Sequence, residues 1–125
     1  MKTNPVGWFE IYVQDLQRAK RFYEMVFKTD LTPLEAPVPG LEMLTFPMER
    51  GAWGAAGALV KMEGGPSGGN AVLVYFNCED CAVEEGRVVV AGGQVDKPKM
   101  SIGEYGFISL VRDTEGNMFG LHSMS

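Results

Sequence analysis

The chain of 125 residues has one histidine, two cysteines and no long apolar run, and each scarcity excludes something. Zinc held by Cys78 and Cys81 would need further ligands, and the sequence offers only His122 and no other thiol. The C-x-x-C spacing therefore reads either as a redox pair or as two partly buried thiols in a reducing cytosol. No run approaches membrane-spanning length, and the first residues lack the apolar stretch of a signal peptide, so a cytoplasmic protein without a membrane partner is expected. Basic residues number 11 against 16 acidic ones, for a net charge of −5. That balance argues against a phosphate-binding face and against nucleic acid as a partner.

What is present is a motif written twice. Val13-Gln14-Asp15-Leu16 ends an alternating run and opens an amphipathic stretch, and Cys78-Glu79-Asp80-Cys81 does the same 65 residues later. Leu41 to Leu44 matches Tyr105 to Ile108 at an offset of 64, and Gly57-Ala58-Leu59 matches Gly120-Leu121-His122 at 63. A repeat with so little drift sets the architecture before any residue is interpreted. The length fits a single domain (1–125), built of one module at 5–62 and another at 70–123.

The elements follow from periodicity. Gly7 to Val13 alternates, with Trp8, Glu10 and Tyr12 on one face and Phe9, Ile11 and Val13 on the other, as a strand requires. Asp15 suits a helix N-cap, and Leu16, Ala19, Phe22, Tyr23, Val26 and Phe27 recur at helical spacing, which packs the helix onto a sheet and lets it fade near Lys28-Thr29. Pro33, Pro37 and Pro39 mark a connection that can hold no central strand, and Leu41–Phe46 and Ala55–Lys61 are short strands. Glu63 to Asn70 is Gly-rich and reads as a flexible linker; a phosphate cradle would need the Lys-Ser/Thr of a P-loop. The second half repeats the order: a strand at Ala71–Asn77, a helix at Asp80–Val90 stopped by Gly92-Gly93, and strands at Gln94–Asp96, Phe107–Arg112 and Met118–His122. The class expected is α+β, two tandem βαβββ modules whose sheets carry a helix on one face and curve around a cleft.

Three segments carry a resemblance: YVQDLQRAKRFYEMVF (Tyr12 to Phe27), VLVYFNCED (Val72 to Asp80) and RDTEGNMFGLHS (Arg112 to Ser123). The chain resembles the vicinal oxygen chelate superfamily, which holds glyoxalase I, extradiol dioxygenases and the fosfomycin- and bleomycin-resistance proteins. The last segment is similar to the family's D-P-x-G-N-x-x-x-L ending, with Thr114 where proline is usual. IGEYGF (Ile102 to Phe107) and the G-L-H-S ending resemble a glyoxalase-like branch of unassigned function. The likeness implies a homodimer, and in the metal-dependent members it implies one ligand from the first and one from the last strand of each module. Carried over, those positions fall on Trp8 and Leu73, on Gly120, and through the repeat on Gly57. None offers a side-chain lone pair, so neither a metal nor any other cofactor is expected.

Residue by residue, His122 shares a strand face with Gly120 and is a candidate general base or hydrogen-bond donor, or simply a strand histidine satisfied by backbone. Glu10 shares Trp8's face, and an inward carboxylate suggests a polar ligand, a partner such as His122, or a buried structural hydrogen bond. Trp8, Tyr12, Tyr75, Tyr105 and Phe107 would wall the cleft with aromatic rings, with core packing as the competing role. Asn77 could orient a ligand's carbonyl or amide, or cap the second helix. Trp53 suits a dimer or loop anchor, and Lys97-Pro98-Lys99 a solvated rim.

Three functions stay open. One is a metal-independent protein that binds a small aromatic or cationic molecule, as the resemblance to bleomycin-resistance proteins implies. Another is a metal-independent lyase or isomerase with Glu10 and His122 as acid and base. The third is a structural dimerisation module with no ligand.

Overall fold

The computed structural model describes residues 3–69 and 71–125. Asn70, which closes the expected linker and opens the expected second module, lies outside the described residues. Two compact units emerge, Trp8–Val72 and Met1–Gly7 with Leu73–Ser125.

The first module runs β1 (Val6–Tyr12), α1 (Leu16–Phe27), β2 (Thr32–Leu34), β3 (Leu41–Thr45) and β4 (Ala56–Met62). Its strands order as β2-β3-β4-β1, with β1 parallel to β4 and the other pairs antiparallel. Asp15 caps α1, its carboxylate accepting the Arg18 N–H at 3.0 Å, and that bond, more than the nearby Arg18 and Arg21 charges, holds the carboxyl below its usual range. Lys28 ends the helix in the left-handed region (φ 53°), its N–H turned back to the Glu24 carbonyl. The Pro-rich connection does form a short strand, β2, and Pro33 is tolerated there because β2 is an edge strand.

Period two sorts the β1 side chains as the sequence indicates. Ile11 and Val13 join Leu16, Ala19 and Tyr23 around buried Leu31, Leu44 and Leu59, on the helix side. Trp8 and Tyr12 pack on the opposite face against Met43, Ala58 and Val60, beside Leu34, Ala36 and Leu41. One expectation fails in part. Phe22, Val26 and Phe27 remain 59%, 52% and 62% exposed, so α1 docks through Leu16, Ala19 and Tyr23, and its other apolar residues look outward.

The second module runs β5 (Val72–Asn77), α2 (Cys81–Val90), β6 (Gln94–Ser101), a single 3-10 turn (Gly103–Tyr105), β7 (Phe107–Arg112) and β8 (Met118–Ser123). Strand order is β5-β8-β7-β6, with β5 parallel to β8, so the βαβββ plan and the α+β class recur as the repeat requires. Strand β6 extends past Asp96 to Ser101, its pairing with β7 shifting register around Pro98, which sits on an edge strand. Asp80 caps α2 through the Ala82 N–H and also accepts from Lys99 Nζ at 2.8 Å. At the turn before β8, the Asp113 carboxylate accepts the Glu115 and Asn117 N–H groups, while Gly116 supplies a φ of 85°.

The Gly-rich segment is tied down. Gln14 Nε2 donates to the Gly65 carbonyl at 2.7 Å, and the Tyr12 N–H reaches the Ala71 carbonyl at 2.9 Å.

Candidate functional site

On β1, residues two apart point the same way and stand close enough for long side chains to meet. Trp8 Nε1 donates to Glu10 Oε2 at 3.1 Å, and the Tyr12 hydroxyl donates to Glu10 Oε1 at 2.7 Å. All three side chains are half-buried. Beside Glu10 on β4 lies Ala58, which is fully buried. Burial pushes the Glu10 carboxyl above its usual range, and the bonds from Tyr12 and Trp8 only partly offset this. The row is thus a carboxylate in a poorly solvated setting, each oxygen accepting one hydrogen bond and keeping a second lone pair.

In the second module, Asn77 pairs with His122 and Tyr75 with Gly120 across parallel strands, which puts these four on the face opposite α2. His122 Nε2 lies 2.6 Å from the Tyr105 carbonyl. A carbonyl only accepts, so Nε2 carries the proton and Nδ1 is the nitrogen left for other chemistry. Asn77 neither caps α2 nor points free: its Nδ2 donates to the Asn4 carbonyl, and its amide packs over Gly7, where a Cβ would come within 2.2 Å of Oδ1. Tyr75 is only 7% exposed, whereas Tyr105 is 44% exposed.

Phe107 does not belong with these residues. It pairs with Ser123, one step out of phase with His122, and packs around buried Cys81, Val111 and Leu121 with Lys99 Nζ 4.7 Å from its ring centre. Its place on the helix-bearing face makes it a core residue. Trp53 stands 97% exposed on the loop between β3 and β4. A further feature has little signature in the sequence. An open groove of about 470 Å³ runs beside α1, with Gln14, Arg18, Phe22, Tyr23 and Ser67 in its walls. The only sequence signal for it was the Gly-rich stretch, which composition alone reads as a spacer.

The four positions at which the resemblance would place metal ligands can be tested on this geometry. Gly57 proves to be the wrong counterpart of Gly120. It pairs with Phe9 on the helix face, and a Cβ there would lie 2.6 Å from Phe9 Cδ1. Gly120 neighbours Tyr75, two residues beyond Leu73; the same step from Trp8 reaches Glu10, whose β4 neighbour is Ala58. The corrected set of Trp8, Ala58, Leu73 and Gly120 still contains no oxygen, sulfur or imidazole nitrogen ligand. The space beside Gly120 is also taken, since a Cβ there would fall 2.1 Å from Tyr75 Cδ1. The residues present do not fit the divalent ion. Among the described residues no three His, Cys, Asp or Glu side chains gather at metal-binding distance.

The thiols are poor nucleophiles. Burial, followed by the neighbouring Glu84 carboxylate, pushes Cys78 up to about 11, and Cys81 is wholly buried.

A family model described as the glyoxalase/bleomycin resistance protein/dioxygenase superfamily matches residues 6–121. Proteins named "Putative glyoxylase CFP32" from Mycobacterium bovis and Mycobacterium tuberculosis are 31% identical over 121 residues, which is 92% of this chain and 44% of theirs. The chain thus spans less than half the length of these relatives. Among solved structures, hypothetical protein BH1468 from Bacillus halodurans superposes with a TM-score of 0.74 at 12% identity, covering 99% of this chain and 96% of that one. Methylmalonyl-CoA epimerase from Mycobacterium tuberculosis superposes with a TM-score of 0.70 at 14% identity, covering 97% and 88%. Likeness at such identity shows the fold alone, but the family match extends over nearly the whole chain. This chain belongs to the glyoxalase/bleomycin resistance protein/dioxygenase superfamily.

Proposed function

We propose that the protein binds a small organic molecule without a metal, on the face of β1 that carries Trp8, Glu10 and Tyr12. The observation that supports it is the hydrogen-bonded row itself, in which a half-buried carboxylate is oriented by two aromatic donors where a purely structural face would carry apolar side chains. The lack of donor atoms at Trp8, Ala58, Leu73 and Gly120 supports the metal-free part of the reading. A homodimer belongs to the same proposal, supported by the outward Phe22, Met25 and Phe27 of α1. The test is a thermal-shift screen of chelator-treated protein against small organic compounds and, separately, divalent metals. Stabilisation by organic compounds that is lost in Trp8→Ala is expected; stabilisation by metals alone overturns the reading.

A second reading is favoured by the 2.7 Å contact between Tyr12 and Glu10. A carboxyl with raised proton affinity, bonded to a phenol, is equipped to move protons, which suits a metal-independent lyase or isomerase. One structural neighbour, a methylmalonyl-CoA epimerase in complex with methylmalonyl-CoA and NH4+, works on a CoA ester, and that class supplies a first substrate to try. Exchange of substrate C–H for deuterium, followed by NMR, should be abolished in Glu10→Gln. No exchange by the intact protein removes this second reading.

A further inference from the structure

Resting on the binding role proposed for the β1 face, we infer that its ligand is an organic ammonium ion, with Glu10 as counter-ion and the Trp8 and Tyr12 rings alongside. Among the described residues the ion pairs are Lys20–Glu24, Lys99–Asp80 and Arg112–Asp96, and none reaches Glu10. Among the described residues the donors to Glu10 are an indole N–H and a phenol O–H, both neutral, and they leave its negative charge uncompensated. Its surroundings on this face, Met43, Ala58 and Val60, are apolar and buried. A carboxylate in such a setting is costly unless paired, and a cation from outside is the partner that removes the cost.

The shape of the row narrows the cation. A divalent metal needs several oxygens around it, and Glu10 offers one carboxylate whose oxygens each already accept a hydrogen bond. An organic ammonium asks for less. It needs one negative charge, the remaining lone pairs, and aromatic surface on which its alkyl groups and diffuse charge can rest. Trp8 and Tyr12 flank Glu10 on both sides along the strand and keep part of their surface exposed. An anionic ligand would be repelled. A neutral ligand of the same shape would leave the buried charge as it was.

The experiment follows the Trp8 indole N–H resonance by 15N NMR at fixed ionic strength, in Trp53→Phe so that Trp8 gives the single indole signal. The probes are choline, its neutral isostere 3,3-dimethylbutan-1-ol, benzyltrimethylammonium and benzyl alcohol. Each cation should bind saturably and at least tenfold more tightly than its neutral partner. Glu10→Gln, which keeps a group of the same size between Trp8 and Tyr12, should erase that preference while the dispersion of the spectrum stays native. Equal binding of cation and neutral isostere overturns the ammonium inference and leaves the binding role standing. No shift of Trp8 by any of the four, with organic stabilisers in the thermal screen equally effective on Trp8→Ala, overturns both.

Discussion

Tyr75 occupies the volume in which a side chain at Gly120 would begin, with its Cδ1 2.1 Å and its Cε1 2.3 Å from the ideal Cβ position. The two residues are direct neighbours on parallel strands, and both are buried. Gly120 is therefore a packing requirement of Tyr75, and a ligand cannot be restored there by substitution at that position alone. Gly120→Ala should lower stability by roughly 1–3 kcal/mol, the usual cost of overpacking. Tyr75→Ala should cost about 3–5 kcal/mol by opening a cavity. The Gly120→Ala, Tyr75→Ala double variant should be more stable than the sum of the single effects implies. Urea denaturation of the four proteins measures the coupling, and strict additivity would show that the ring and the glycine do not constrain each other.

That pair also shows what was legible in the sequence. Period two places Tyr75, Gly120 and His122 on one face, and the Asp15 N-cap marks where α1 begins, because both are local signals; Asp80, which the pattern counts as the first residue of the second helix, proves to be its cap. Register is not local. The repeat offset points to Gly57 whereas the strand face requires Ala58, because offsets between repeats drift, and in a strand a single step moves a residue to the other face. For Phe107 the sequence leaves a cleft wall and core packing both open, and the structure takes the core, one step out of phase with His122 just after the 3-10 turn at Gly103–Tyr105. The outward residues of α1 could not be foreseen either, since helical spacing says which residues lie on a stripe but not how wide a stripe the sheet covers. At the site, the alternation grouped Trp8, Glu10 and Tyr12, whereas the hydrogen bonds that turn three neighbours into a unit needed coordinates.

The raised proton affinity of Glu10 has a definite consequence for pH. An acid whose folded-state pKa lies above its unfolded value binds its proton more tightly when folded, so ionisation opposes folding. The protein should lose stability from this group as pH rises from below the ordinary value of 4.5 through the higher folded-state value, with the full penalty present above it. Glu10→Gln removes the titration. Thermal melts of both proteins at closely spaced pH values should show the variant gaining on the wild type as pH rises, then levelling off. An unchanging difference across that range would mean that burial does not perturb Glu10. Ammonium binding should run the other way, tightening with pH over the same window, because only the ionised carboxylate is a counter-ion.

Cys78 and Cys81 should behave as structural thiols. At pH 8 a group pushed up to about 11 is almost wholly protonated, and the thiolate is the reactive form. Its neighbour Cys81 has no exposed surface at all. Iodoacetamide should therefore label neither appreciably in the native protein and both in urea, as read by intact mass. Rapid native labelling of one thiol would indicate an activated cysteine at the start of α2, and the redox reading of the C-x-x-C spacing would return.

Gln14 is the clasp of the Gly-rich segment, and its removal separates a tethered loop from a free linker. The side-chain amide donates to Gly65 O at 2.7 Å across 51 residues of sequence, and Gly64, Gly68 and Gly69 around it adopt positive φ, which glycine alone tolerates cheaply. Three glycines in one short segment gain much entropy when released, and the backbone bonds from Gly65 N–H to Met62 and from Ala71 N–H to Gly68 span only its ends. Gln14→Ala should cost about 1 kcal/mol, the net worth of one hydrogen bond. The effect should be local, because Ala71 is still held by the Tyr12 N–H and the sheet does not depend on Gln14. Hydrogen exchange resolved to single amides should then speed up from Gly64 to Gly69 and stay unchanged in β1 and β4. If exchange in that segment is already fast in the wild type, the clasp is not formed in solution, and the groove beside α1 loses its Ser67 wall.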